Sequence, residues 1–207
     1  MLPEACLGLR CVTTEVAVHR SRGFTLIELL VVVAVLAVML TLAAPSFTDF
    51  FERYRLRGAA DEVVTLLASA RAESVMRNRD VAVSFGGSGA AWCVGAKAKP
   101  EPATPGMSVV GSEACDCTAP ATCTMDANRP LVFDAADFAG VSIGTAPANL
   151  IFSSRSGGLS PLGTTASTSL TSPSGKYTLQ LDVSQLGRAT LCVPSGQPAM
   201  AGFDSCS

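Results

Sequence analysis

One carboxylate stands inside a long apolar run. In "RGFTLIELLVVVAVLAVMLTLAA" (22–44), Glu28 is the fifth residue of a stretch from Phe24 to Ala44 that holds no other charge. An ionised acid costs about 2.5–3.5 kcal/mol at the centre of a membrane helix, and such acids normally have a cationic partner. The chemistry on offer is therefore charge pairing. The remaining reactive residues are few. The only histidine, His19, lies before the run, so a chain trimmed at Phe24 holds no imidazole base, His-dependent triad or His metal ligand. "SPSGKY" (172–177) lacks phosphate-loop spacing, and there is no GxSxG elbow. Asp134 and Asp137 read as loop caps, while Asp126, Asn128 and Asp134 lack a calcium-loop pattern. No catalytic residue, metal or cofactor is expected, and the chain is not expected to be an enzyme.

Eight cysteines complete the inventory. Cys6 and Cys11 precede the apolar run, and Cys93, Cys115, Cys117, Cys123, Cys192 and Cys206 follow it. An even set in a chain that leaves the cytoplasm reads as disulfides, with more pairings than sequence alone can choose among. Reading Cys115, Cys117 and Cys123 as zinc ligands would require a fourth ligand and a reducing compartment.

These residues must be positioned by a small number of elements. The chain of 207 residues has room for one head domain besides the apolar run. The 21 residues from Phe24 to Ala44 would form a helix about 31 Å long, matching a hydrocarbon core of roughly 30 Å. Beyond Pro45 the helical pattern becomes amphipathic, with Leu56, Ala60, Val63, Leu67 and Ala70 on one side. Asp49 and Arg53, Arg57 and Asp61, and Glu73 and Arg77 are spaced four apart, as on a solvated helix face. The helix is expected to end near Arg79.

From Asp80 onward the period is that of strands. The expected runs are 81–85, 91–95, 107–111, 130–134, 140–144, 149–153, 167–172, 176–183 and 188–193, separated by Gly, Pro, Ser and Asn. The last two form a hairpin through "SQLGR", with Tyr177, Leu179, Leu181 and Val183 on one face, and 96–106 is a loop. The fold class is α+β: a long N-terminal helix with a membrane-spanning first half, packed on a mostly antiparallel β head. The organisation is leader 1–23, spanning half 24–45, amphipathic half 46–79 and head 80–207.

A secretory signal fits poorly, because the run is long and continues into "PSFTDFFERYRLR". A plain anchor leaves Glu28 unexplained. "RGFTLIELL" resembles the class III leader junction of type IV pilins and type II secretion pseudopilins. The resemblance implies cleavage by a prepilin peptidase after Gly23 and methylation of the new amino terminus, Phe24. It also implies pairing of Glu28 with the Phe24 amine of a neighbouring subunit during filament assembly, and a helix kink at Pro45. The leader is long for such a junction, and Val12, Val16 and Val18 are alternative starts.

One long helix followed only by strands is similar to the GspH/FimT family. "AADEVVTLLASARAESVMRNRDVAVSF", "FSSRSGG" and "GRATLC" carry that resemblance. It implies a minor pilin or pseudopilin that primes or caps a type IV pilus or a type II secretion pseudopilus. Its implied partners are other pilin subunits, the prepilin peptidase, an inner-membrane assembly platform and the lipid bilayer, with the head in the periplasm. It further implies a Cys192–Cys206 disulfide. Cys115 and Cys117 are too close to join each other, so Cys93 takes one and Cys123 the other. The alternative is a DNA-binding minor pilin of natural transformation, whose GRxR motif is here Gly187, Arg188, Ala189 and Thr190, without the second arginine. Past Gly23 the chain has 12 Lys and Arg against 15 Asp and Glu, a formal −3, the wrong sign for phosphate binding overall. Arg188, Arg155 and Lys176 are the bases that would form a local patch.

Overall fold

The computed structural model describes residues 23–99, 114–126, 129–145, 147 and 149–206, without the side chains at 42–46, 126 and 129. The leader with Cys6, Cys11 and His19, the expected strand 107–111 and Asn128 lie outside the described residues. The chain forms two compact units that meet between Ala44 and Pro45.

Helix α1 runs Leu26–Met76, and its assignment continues through position 45. In the first unit its described side chains are all exposed, including Leu29, Leu30, Val33, Leu36 and Leu40. Among the described residues no helix is long and apolar enough to cross a membrane. The described apolar stretch, Leu26 to Thr41, covers only about 24 Å at helical rise. At its other end α1 stops earlier than expected. Asn78 takes a left-handed conformation with φ 52°, and the Arg79 N–H donates to the Ser74 carbonyl 3.1 Å away. This closes the last turn in a Schellman-type cap, for which asparagine is well suited.

In the second unit, α1 buries Leu56, Ala59, Ala60, Val63, Leu66, Leu67 and Ala70 completely or nearly so. That stripe packs into one core with both sheets of the head. The strands are β1 (Val81–Ser88), β2 (Ala91–Ala98), β3 (Thr124–Asp126), β4 (Arg129–Pro130), β5 (Val132–Asp134), β6 (Ser142–Ile143), β7 (Leu150–Phe152), β8 (Leu159–Ser160), β9 (Ala166–Thr171), β10 (Thr178–Val183) and β11 (Ala189–Cys192). They form sheets ordered β5-β2-β1-β7-β8 and β11-β10-β9-β6, plus the short pair β3-β4. All named pairings are antiparallel. Strand β2 extends to Ala98, into the segment expected to be a loop, while β3 and β8 escape the sequence pattern because each is only two or three residues long. Leu179, Leu181 and Val183 along β10 and Tyr177 just before it are buried, and the indole N–H of buried Trp92 donates to the Val141 carbonyl at 2.9 Å.

The β1–β2 ribbon is covered on both faces. Val81, Val83, Trp92, Val94 and Ala96 join the core with α1, whereas Cys93 belongs to a second small cluster with Cys117 and Cys123. Disulfides join Cys93 to Cys117 and Cys115 to Cys123, with Cα atoms 5.7 and 5.0 Å apart. Two glycines make room for them. A Cβ at Gly86 would lie 2.7 Å from Cys117 Sγ, and one at Gly95 would lie 2.5 Å from Cys123 Sγ. Neither has a positive φ, so the requirement is space rather than backbone conformation. Gly95→Ala should therefore destabilise the head by about 1–3 kcal/mol, the usual cost of overpacking. Thermal unfolding of the oxidised protein checks this, and an unchanged midpoint would mean that the disulfide layer does not press on the strand.

Candidate functional site

The N-terminal site begins at Gly23, which is exposed and, among the described residues, meets nothing within 4 Å of an added Cβ. Packing against the described residues therefore does not call for glycine there. Phe24 is likewise exposed. Helix α1 then opens with a reciprocal pair: the Thr25 N–H donates to Glu28 Oε2 at 3.4 Å, and the Glu28 N–H donates to Thr25 Oγ1 at 3.3 Å. This is a capping box, which satisfies two donors that a helix start otherwise leaves open. Its signature, Thr-x-x-Glu ahead of an apolar run, is readable in the sequence as Thr25 and Glu28, although Glu28 is weighed above only as a charge in need of a cation and not as a cap. The contacts are long, and the exposed carboxylate retains capacity for a further donor.

A second set of polar side chains fixes the opening turns of the amphipathic helix half to the head. The Lys176 ammonium donates to Asp49 Oδ2 at 2.6 Å, the Tyr177 hydroxyl reaches the same oxygen at 3.4 Å, and Ser174 Oγ donates to Glu52. The Arg53 guanidinium lies over the Tyr177 ring and that of Arg57 over Phe203, at 5.2 and 4.9 Å from the ring centres. Of the expected four-apart pairs, Glu73–Arg77 forms an ion pair. Asp49 turns instead to Lys176, and Arg57 to Phe203, because the head supplies partners that an isolated helix lacks. The sequence separation of these contacts hides them from local pattern reading.

Arg188 is exposed on the β10–β11 turn, and its backbone N–H donates to Ser184 Oγ at 3.2 Å. Gly187 has φ 73°, and a Cβ there would stand 2.6 Å from the Gly157 carbonyl. The first residue of "GRAT" is thus required by the turn. Lys176 and Arg188 lie at opposite ends of β10: Lys176 precedes the strand and is held by Asp49, whereas Arg188 follows its far end. Arg188 instead lines a groove of about 400 Å³ with Ala68, Arg71, Ala72 and Val75. The third disulfide, Cys192–Cys206, closes the C-terminal segment, with Cα atoms 4.9 Å apart. Asp182 lies beside this bond, but its two sulfurs are spent on each other and offer no thiolate to a metal. Asp134 accepts from the Ala136 N–H at 2.8 Å and caps a short 3₁₀ turn.

Residues 59–187 match the family model described as type II transport protein GspH, and residues 18–44 match that of the prokaryotic N-terminal methylation motif. The chain belongs to the GspH family. As a member it is a minor pilin or pseudopilin of the type IV pilus and type II secretion class. No curated protein sequence matches it. Two crystal forms of the type IV minor pilin FimU from Pseudomonas aeruginosa are similar in structure. One is 23% identical with a TM-score of 0.46, covering 69% of this chain and 91% of that one. The other is 20% identical with a TM-score of 0.41, covering 65% and 90%.

The Asp49–Lys176 contact gives this GspH-family head a measurable pH signature. The hydrogen bond from Lys176 holds the Asp49 carboxyl below its ordinary value of 3.8, and the same bond raises Lys176 above 10.5. The depressed acid contributes stability above the ordinary carboxylate range, lost as pH falls through its folded value. The raised base contributes below the ordinary lysine range, lost as pH rises through its folded value. In denaturant unfolding, the stability difference between wild type and Lys176→Met should be flat across neutral pH and shrink below pH 3.8. It should be small and weaken with salt, because both groups are solvent-accessible.

Proposed function

We propose that the chain is made as a prepilin, cut after Gly23 by a prepilin peptidase and methylated on Phe24. Residues 24–45 then hold it in the inner membrane with the β head in the periplasm, until it enters a type IV pilus or type II secretion pseudopilus. There it primes or caps the filament as a structural subunit, meeting other pilins and the inner-membrane assembly platform. The observation that carries this reading is the exposed apolar half of α1, which opens on the Thr25–Glu28 cap just after an exposed glycine. The methylation-motif match over 18–44 supports the same reading.

On this reading, cleavage frees an ammonium at Phe24, and the Glu28 carboxylate of a neighbouring subunit is its counter-ion. In apolar surroundings a charge-assisted hydrogen bond of this kind sets the axial register of two helices. Pro45 supplies no N–H to the carbonyl four residues back, so the helix is weakest between the lipid-facing half and the head-facing half. Bending there lets the head follow its neighbours while the apolar half stays packed.

The test uses the double role of Glu28. Glutamine at the same position preserves a capping box but removes the charge. Glu28→Gln should therefore fold, form its disulfides and stay membrane-bound, yet be lost from filaments purified from cells that express the other subunits. Incorporation of Glu28→Gln at the wild-type level would contradict the proposed pairing.

A further inference from the structure

Just beyond the apolar run, the helix carries a stripe of aromatic residues that the head does not use. Phe47, Phe50, Phe51 and Tyr54 recur at three and four, and are 53–70% exposed. At 100° per residue they fall on the side of α1 opposite Leu56, Ala59, Ala60 and Val63, which are buried in the head. Three of the rings contact one another. Phe50 meets Phe51 edge-on at 5.7 Å and stacks with Tyr54 at 6.5 Å. A soluble domain normally has no reason to expose four adjacent aromatic residues.

The charges around the stripe are arranged unequally. The two acids of this stretch, Asp49 and Glu52, are drawn to Lys176 and Ser174 of the head. Arg53 and Arg57 line a groove of about 240 Å³ with Phe50, Tyr54, Met200 and Phe203. Its walls are aromatic and its charge is cationic. Aromatic rings beside guanidinium groups, directly after an apolar helix, are the chemistry of the membrane–water interface. There the rings sit among glycerol and phosphate groups, and arginine pairs with phosphate. Phe47 to Phe51 follow Ala44 by three to seven residues, at most about 10 Å of helix, and helical side chains lean back toward the N-terminus.

We propose that Phe47, Phe50, Phe51 and Tyr54 form an interfacial anchor that lies in the phospholipid headgroup layer while the subunit waits in the membrane. The stripe then fixes how deep the subunit sits. This rests on the membrane anchorage of residues 24–45 proposed above, and the experiment keeps the two apart.

The full chain, reconstituted at low density in phospholipid nanodiscs, is prepared as Phe50→Trp and separately as Leu36→Trp. Trp92, buried in the head, gives a common background. Lipids brominated near the headgroup or near the chain ends then quench by contact. The expected result is loss of the emission added at position 50 with the shallow bromines only, and loss of that added at position 36 with the deep ones. Quenching at position 36 but not at position 50 overturns the interfacial anchor and leaves the span intact, as when a neighbouring subunit covers the stripe. Quenching at position 50 by the deep bromines alone also overturns it, because the stripe then lies in the hydrocarbon core. No quenching at either position overturns both readings.

Discussion

Everything in this chain follows from one helix that must satisfy two different surroundings. Between Leu56 and Ala70 its apolar side is sealed by the head, and removing those side chains from water stabilises the fold at roughly 25 cal/mol per Å² of apolar surface. Between Leu29 and Leu40 the same helix is apolar all round, and no described residue covers it. A helix of that kind is stable only in lipid or among other helices. The exposed half is therefore the part of the chain on which the proposed passage from a bilayer to a filament rests.

The head solves a separate problem. It is small, its strands are short, and glycine-rich ribbons pack poorly unless something presses on them. Two disulfides cover the β1–β2 face that the helix does not reach, and Gly86 and Gly95 leave the space they occupy. The Cys192–Cys206 bond ties down the C-terminal segment, where Phe203 meets Arg57 of the helix. The polar contacts of Asp49, Glu52 and Arg53 extend that attachment toward the start of the amphipathic half. Within the second unit the first turns of the helix are thus held to the head on one side, while the opposite side presents aromatic rings.

Much of this was legible in the sequence, for definable reasons. The change of period after Pro45, the apolar stripe of α1 and the alternation along β10 are local patterns that tertiary structure had no cause to override. The helix end was expected near Arg79, three residues late, because Asn78 is a weaker stop signal by type than glycine although it takes the same left-handed conformation here. The strands β3 and β8 were missed because two or three residues carry no period. Lys176 and Phe203, which Asp49 and Arg57 meet, lie more than a hundred residues away and are invisible to four-apart spacing, although Arg53 Nε does donate to the Asp49 carbonyl four residues back. At the N-terminal site, Gly23, Phe24 and Glu28 stood out by residue type. The capping role of Glu28 was equally readable but was overshadowed by the cost of its charge.

The most direct test of the account is the intact mass and N-terminal sequence of the protein recovered from its native membrane. The account predicts a chain that begins at Phe24 with a methylated amine, because only then does Glu28 acquire the cation for which its place in an apolar run calls. A chain that begins at or before His19, or after Ala44, would contradict it and reduce the apolar run to an ordinary anchor or signal.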